Sequence, residues 1–88
     1  MTRELLRIQG YIVVSRLDEA DRMLEKFQEK YPLVAAGFVL RASLALKKNK
    51  KEMAISNLLK AQSLDPQDKV VTQMLQALGR SPATAGQP

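Results

Sequence analysis

The chain has no cysteine and no histidine among its 88 residues. Without cysteine there is no disulfide staple and no thiolate metal site. Without either residue, the two commonest nucleophile–base arrangements of enzymes are excluded. Neither a Gly-x-x-x-x-Gly-Lys-Ser/Thr loop nor a Gly-x-Gly-x-x-Gly turn occurs, so the backbone cradles that hold nucleotide phosphates are missing too. Tryptophan is absent, and the only aromatics are Tyr11, Phe27, Tyr31 and Phe38. Four rings are few for a single-strand binder, which needs aromatic faces for bases to stack on. Apolar runs stop at four residues, as in Tyr11–Val14, far short of the roughly 18 that a membrane span requires. Arg3, Glu4 and Arg7 stand where a signal peptide would place its apolar segment. The expectation is a soluble, cytoplasmic chain that is not an enzyme and binds no cofactor and no metal.

What the chain does carry is an ordinary globular balance, 45% hydrophobic and 26% charged, with a net charge of +5. The sharpest charge feature is Lys47-Lys48-Asn49-Lys50-Lys51, four lysines in five residues. Such a run can neutralise phosphates or grip an acidic peptide. It can equally be a solvated turn whose first two lysines close a helix at its negative end, and that plainer reading is preferred. Asp18, Glu19, Asp21 and Glu25 form the densest acidic set. Asp18 and Glu19 fall in the first turn of a helix, where carboxylates favour the positive end of the dipole. A structural role for the set is expected rather than acid–base or metal chemistry.

Sliding the chain against itself by 34 residues gives seven identities: Leu6/Leu40, Arg7/Arg41, Ala20/Ala54, Leu24/Leu58, Lys26/Lys60, Gln28/Gln62 and Pro32/Pro66. The matches fall on small, apolar and turn positions, as a repeated helical hairpin requires. Within each copy the apolar residues step by three and four, the spacing of a helix face. One helix carries Leu5, Ile8 and Ile12; a second, with Ser15 as its expected N-cap, carries Leu17, Ala20, Leu24 and Phe27 and stops at Tyr31-Pro32. The next begins near Leu33 and runs through Phe38, Ala42, Ala45 and Leu46 to Asn49, a residue that tolerates the left-handed conformation of helix ends. A fourth carries Ala54, Leu58 and Ala61 to Asp65-Pro66. Asp68 is the expected cap of a fifth, bearing Val71, Leu75 and Leu78 and stopped by Gly79. Short connections make neighbouring helices antiparallel. The fold class is therefore all-α: helix–turn–helix over 1–34, again over 35–68, a capping helix over 68–78, and a disordered tail over 79–88. Leu6, Leu24, Leu40, Leu58, Met74 and Leu75 are expected to fill the seams, with Gln73, Gln76 and Arg80 facing water.

A unit of this length and shape resembles the tetratricopeptide repeat. Tyr11, Ala20 and Pro32 fall on that family's pattern in the first copy, and Phe38, Ala42, Ala54, Ala61 and Pro66 in the second. Departures are as plain. Glu4 and Thr72 stand where an aromatic belongs, Arg7 and Arg41 replace a leucine, and Ile8 replaces a close-packing glycine. Leu24 and Leu58 stand for an aromatic and Phe27 for an alanine; the bulk of Ile8 and Phe27 points to looser helix contacts in the first copy. The resemblance implies a TPR-like α-solenoid of five helices whose first helices line a concave groove.

By the same resemblance the groove lining is Leu5, Gln9, Ile12 and Val13, then Val39, Ser43, Leu46 and Lys47, with Gln73 at the far end. One subgroup of the family clamps a terminal carboxylate with a Lys–Asn pair; Leu5 and Gln9 hold those places, so that specificity is not expected. A largely apolar lining fits a protein or peptide partner, an apolar or amphipathic helical segment. The expected function is that of a protein–protein interaction adaptor or scaffold. The alternatives are a basic helical nucleic-acid-binding domain and a structural fragment that self-associates into a homo-oligomer, since two repeats fall short of the roughly three a stable array wants.

Overall fold

A computed structural model describes residues 2–79. Among them are five helices and no strand: α1 (Thr2–Val13), α2 (Leu17–Lys30), α3 (Ala35–Lys47), α4 (Lys51–Leu64) and α5 (Lys69–Ala77). The fold is all-α. Of the tail expected over 79–88, Gly79 is described; residues 80–88, Arg80 among them, lie outside the described residues.

The helices end for two different reasons. Proline at 32 and 66 disfavours helical geometry in the residue before it, and Tyr31 (φ −130°, ψ 70°) and Asp65 (φ −142°, ψ 81°) both leave the helical region. After α1 and α3 the chain instead passes through one left-handed residue, Ser15 at φ 64° and Asn49 at φ 60°. The next amide then reaches back: the Arg16 N–H donates to the Tyr11 carbonyl and the Lys50 N–H to the Ala45 carbonyl, both at 2.8 Å. This closure satisfies carbonyls that the helix would otherwise leave without partners.

Ser15 therefore does not cap α2. Arg16 occupies the N-cap position and makes no side-chain capping bond. Its guanidinium lies 2.7 Å from Glu19 in the first turn and 5.5 Å from the Tyr11 ring centroid. Serine suits an N-cap by type, but a side chain held at positive φ is already spent on ending α1. Asp68 does cap α5, its Oδ1 accepting from the Val70 N–H at 2.9 Å. Gly79 follows α5 at φ 84°. The third helix starts at Ala35, two residues after Leu33, because Val34 is extended.

The backbone repeats itself along the chain. α2 and α4 are each 14 residues long and start 34 apart, at 17 and 51. α3 and α5 start 34 apart as well, at 35 and 69. The left-handed pair Ser15/Asn49 shares that offset.

Two apolar clusters hold the helices together. Ile8, Ile12, Ala20, Leu24, Phe27, Leu40 and Leu44 form one. Ala42, Ala45, Ala54, Ile55, Leu58, Ala61, Val71 and Leu75 form the other. α3 contributes to both, which explains why AAGFVLRASLAL is apolar nearly all round. Ala20 and Ala54 are both fully buried; α3 and α4 approach closely across Ala54, whereas α1 and α2 stay further apart across Ala20.

The looser contacts expected of the first copy are present, since α1 and α2 approach each other less closely than α3 and α4 do, but Phe27 itself is well packed. It is 1% exposed, and a Cβ built on Gly37 would lie 3.4 Å from its ring. That is ordinary van der Waals distance, so a methyl would fit on α3 and only a larger side chain would crowd the ring. Thirty-four residues on, the volumes are exchanged: Ala61 takes the place of Phe27 and Val71 that of Gly37, both fully buried. Ile8 is fully buried too; its bulk, where α3 carries Ala42, goes with the wider spacing of α1 and α2.

Leu6 departs from its expected seam and is 63% exposed. Leu40, its counterpart, buries against α1; Leu6 sits on α1 itself, with no described helix on that side. Arg41 ties α3 to α2, its Nε donating to Gln28 Oε1 at 2.6 Å and its Nη1 lying 3.4 Å from Asp21 Oδ1.

Candidate functional site

Short connections alternate the helix direction, so α1, α3 and α5 run the same way along one side of the molecule. Between them lies a groove of about 430 Å³. Leu5, Gln9, Ile12 and Val13 line it from α1, and Ala36, Val39, Leu40 and Ser43 from α3. The third wall is Asp68, Val70 and Met74, at and along the start of α5. Ile12 and Leu40 form the buried floor, whereas Val13 and Val70 stand 66% and 55% exposed on opposite rims.

Six of the nine residues expected from the sequence border this groove: Leu5, Gln9, Ile12, Val13, Val39 and Ser43. Leu46 is not among the lining residues; it packs against the α3–α4–α5 cluster. Lys47 and Gln73 are exposed and also outside the lining. Sequence reasoning missed Ala36, Leu40, Asp68, Val70 and Met74. The signal was available: adding 34 to Ala36 and Leu40 gives Val70 and Met74, so α5 repeats the α3 wall and does not merely cover the core.

The chemistry of the lining is plain. Gln9 and Ser43 are its only neutral polar side chains, and the Asp68 carboxylate is engaged by the Val70 amide. Small-molecule pockets rely on convergent polar groups for orientation, and two scattered ones orient little. What the groove offers a ligand is burial of apolar surface.

A second hollow of about 440 Å³ lies over α1 and α2. Glu19, Arg22, Glu25, Lys26 and Glu29 border it beside Tyr11 and Met23, so its lining is of mixed charge. The acidic set is spread among structural partners, Glu19 on Arg16 and Asp21 on Arg41. Among the described residues, no group of three or more acidic side chains is placed to hold a metal ion. Lys47, Lys48, Lys50 and Lys51 are all exposed around the α3–α4 turn. Lys48 and Lys50, with Arg41 and Asp21, border a shallow recess of about 200 Å³. No helix of the described residues is long and apolar enough to cross a membrane.

The chain matches no protein-family profile, no curated protein and no solved structure.

Proposed function

We propose that the chain is a small tetratricopeptide-like adaptor. In this reading two helix–turn–helix units and a closing helix form a short α-solenoid, and its concave side receives an amphipathic helix of another protein. The observation that carries it is the apolar groove across α1, α3 and α5, with Val13 and Val70 left 66% and 55% exposed on its rims. Contiguous apolar surface on a globular chain marks an interaction site. A helix presenting apolar residues at i, i+3, i+4 and i+7 lays such a stripe into a groove between helices. Binding, not turnover, is the activity.

The test leaves the core untouched. Val13→Gln with Val70→Gln replaces two exposed rim residues by good helix formers, so the fold should survive with unchanged circular dichroism. Affinity capture from cell extract, followed by mass spectrometry, should then lose the proteins retained by the wild type. Identical captured sets would refute the groove as the binding surface. A second reading, self-association, draws on Leu6 and Val14, 63% and 62% exposed on and just after α1. Light scattering of a Leu6→Gln, Val14→Gln variant separates the two, since only self-association predicts a fall in mass.

A further inference from the structure

We infer that the groove's partner is an amphipathic helix whose first turn is acidic, and that Lys47, Lys48, Lys50 and Lys51 receive that turn. The inference rests on the groove reading above and adds the chemistry and direction of the ligand.

The α3–α4 turn does not need these lysines. The α1–α2 turn closes with the same left-handed residue and the same 2.8 Å back-bond. At the corresponding positions it carries Val13, Val14, Arg16 and Leu17. Its one cation, Arg16, is paired with Glu19 at 2.7 Å. The four lysines are exposed, and no ion pair engages them among the described residues. Crowding them is unfavourable in itself: Lys50 and Lys51 sit at the positive end of α4, where cations are disfavoured. A partner with negative charge removes that penalty.

Position joins the cluster to the groove through Lys47; Lys48 and Lys50 lie off that line and border the recess beside Asp21 and Arg41. Ala36, Leu40 and Ser43 follow one face of α3, and Lys47 is the next residue on that line, one turn on. Among the described residues, no lysine or arginine lines the groove; at the end opposite Lys47 the exposed cation Lys69 stands next to the Asp68 carboxylate. α1, α3 and α5 all present their negative dipole ends at the Lys47 end. An antiparallel ligand helix brings its positive N-terminal end to that place, and acidic residues are most stable in the first turn of such a helix. Its apolar stripe then runs back over Leu40 towards Val70. An acidic protein segment fits better than nucleic acid, because none of the four rings stands in this turn for a base to stack on.

Three fluorescein-labelled helical peptides of about 18 residues, roughly 27 Å long, test it. All share a leucine stripe; the first turn is Glu-rich in one, Gln-rich in the second and Lys-rich in the third. Binding is followed by anisotropy against the wild type, the rim variant Val13→Gln/Val70→Gln, and Lys47→Glu/Lys48→Glu. The Glu-rich peptide should bind the wild type at least about fivefold tighter than the Gln-rich one at low salt. The advantage should vanish at high ionic strength and also on the Lys47→Glu/Lys48→Glu variant, whose two glutamates offset Lys50 and Lys51. Equal binding of all three peptides, weakened together by the rim variant, overturns the acidic-turn inference and leaves the groove standing. Glu-rich binding that the rim variant does not weaken keeps the lysine site and overturns the groove. Failure of all three overturns both.

Discussion

Ser15 and the Phe27–Gly37 contact show how much single positions carry here. Ser15 is held at φ 64°, a conformation that costs a non-glycine residue about 1 kcal/mol or more. The back-bond from Arg16 to Tyr11 at 2.8 Å keeps it there. Ser15→Gly removes the Cβ strain, and because the residue is exposed nothing else is lost; stability to urea should rise by about 0.5–1 kcal/mol. A fall would show that the Ser15 side chain supports the turn in a way its backbone does not. Phe27 and Gly37 make a volume pair, large against absent, whereas the second copy builds the same seam from Ala61 and Val71. Phe27→Ala alone should cost about 3–5 kcal/mol through the cavity it leaves. Gly37→Val alone overpacks the ring edge, which lies 3.4 Å from the new Cβ, and should cost about 1–3 kcal/mol. Together they recreate the alanine–valine seam, so the double variant should be more stable than the sum of the single losses by about 1 kcal/mol or more. Strict additivity in chemical denaturation would mean the two side chains are not coupled. This compensation was hidden in the sequence, because Phe27 reads as a misfit until the glycine ten residues later is seen beside it.

At the level of elements, composition follows position. α3 is apolar on nearly every side because it feeds both clusters, while α2 keeps one buried stripe, Ala20, Leu24 and Phe27, and charges elsewhere. The buried stripes were legible, since their three- and four-residue spacing is independent of what covers them. Helix stops at proline and at Asn49 were legible for the same local reason. What failed was any inference needing a neighbour: Leu6 was placed in a seam although α1 has no described helix beyond it, and Ser15 was read by type without its backbone angle. α5 was read as a cover, and so Val70 and Met74 were missed as groove wall. That helix has only nine residues and one capping side chain, too short to be stable alone. Asp68→Ala leaves the Val70 amide without its 2.9 Å acceptor and should cost about 1 kcal/mol. The loss should appear as faster amide exchange across residues 69–77, with α1 and α2 unchanged. Asp68→Asn or Asp68→Ser should restore most of it, because either side chain can accept the same bond.

Over the whole molecule, the 34-residue offset organises everything from helix starts to left-handed turns, yet the two clusters are not interchangeable. One joins α1, α2 and α3, the other α3, α4 and α5, and α3 is the sole helix in both. The chain is elongated, 39 × 25 × 17 Å, so contacts between its ends are scarce and stability is passed from neighbour to neighbour. Where helices pack mainly on their neighbours, opening begins where interfaces are fewest. α1 keeps Leu6 and Val13 exposed, 63% and 66%, and α5 packs chiefly on α4; these two should open first. Native-state hydrogen exchange should therefore give the slowest amides in α3 and α4, with α1 and α5 exchanging through smaller openings. Leu24→Ala, a fully buried side chain of the α1–α2–α3 cluster, should cost about 2–5 kcal/mol. Its effect should fall on amides of α1 and α2 before those of α4 and α5. If every helix instead lost protection by the same amount, α3 would be transmitting the whole perturbation, and the two clusters would be one cooperative core. Unequal loss has a consequence for binding: a ligand that spans α1, α3 and α5 bridges the two least stable elements, so it should slow exchange most at the ends of the molecule and least in α4.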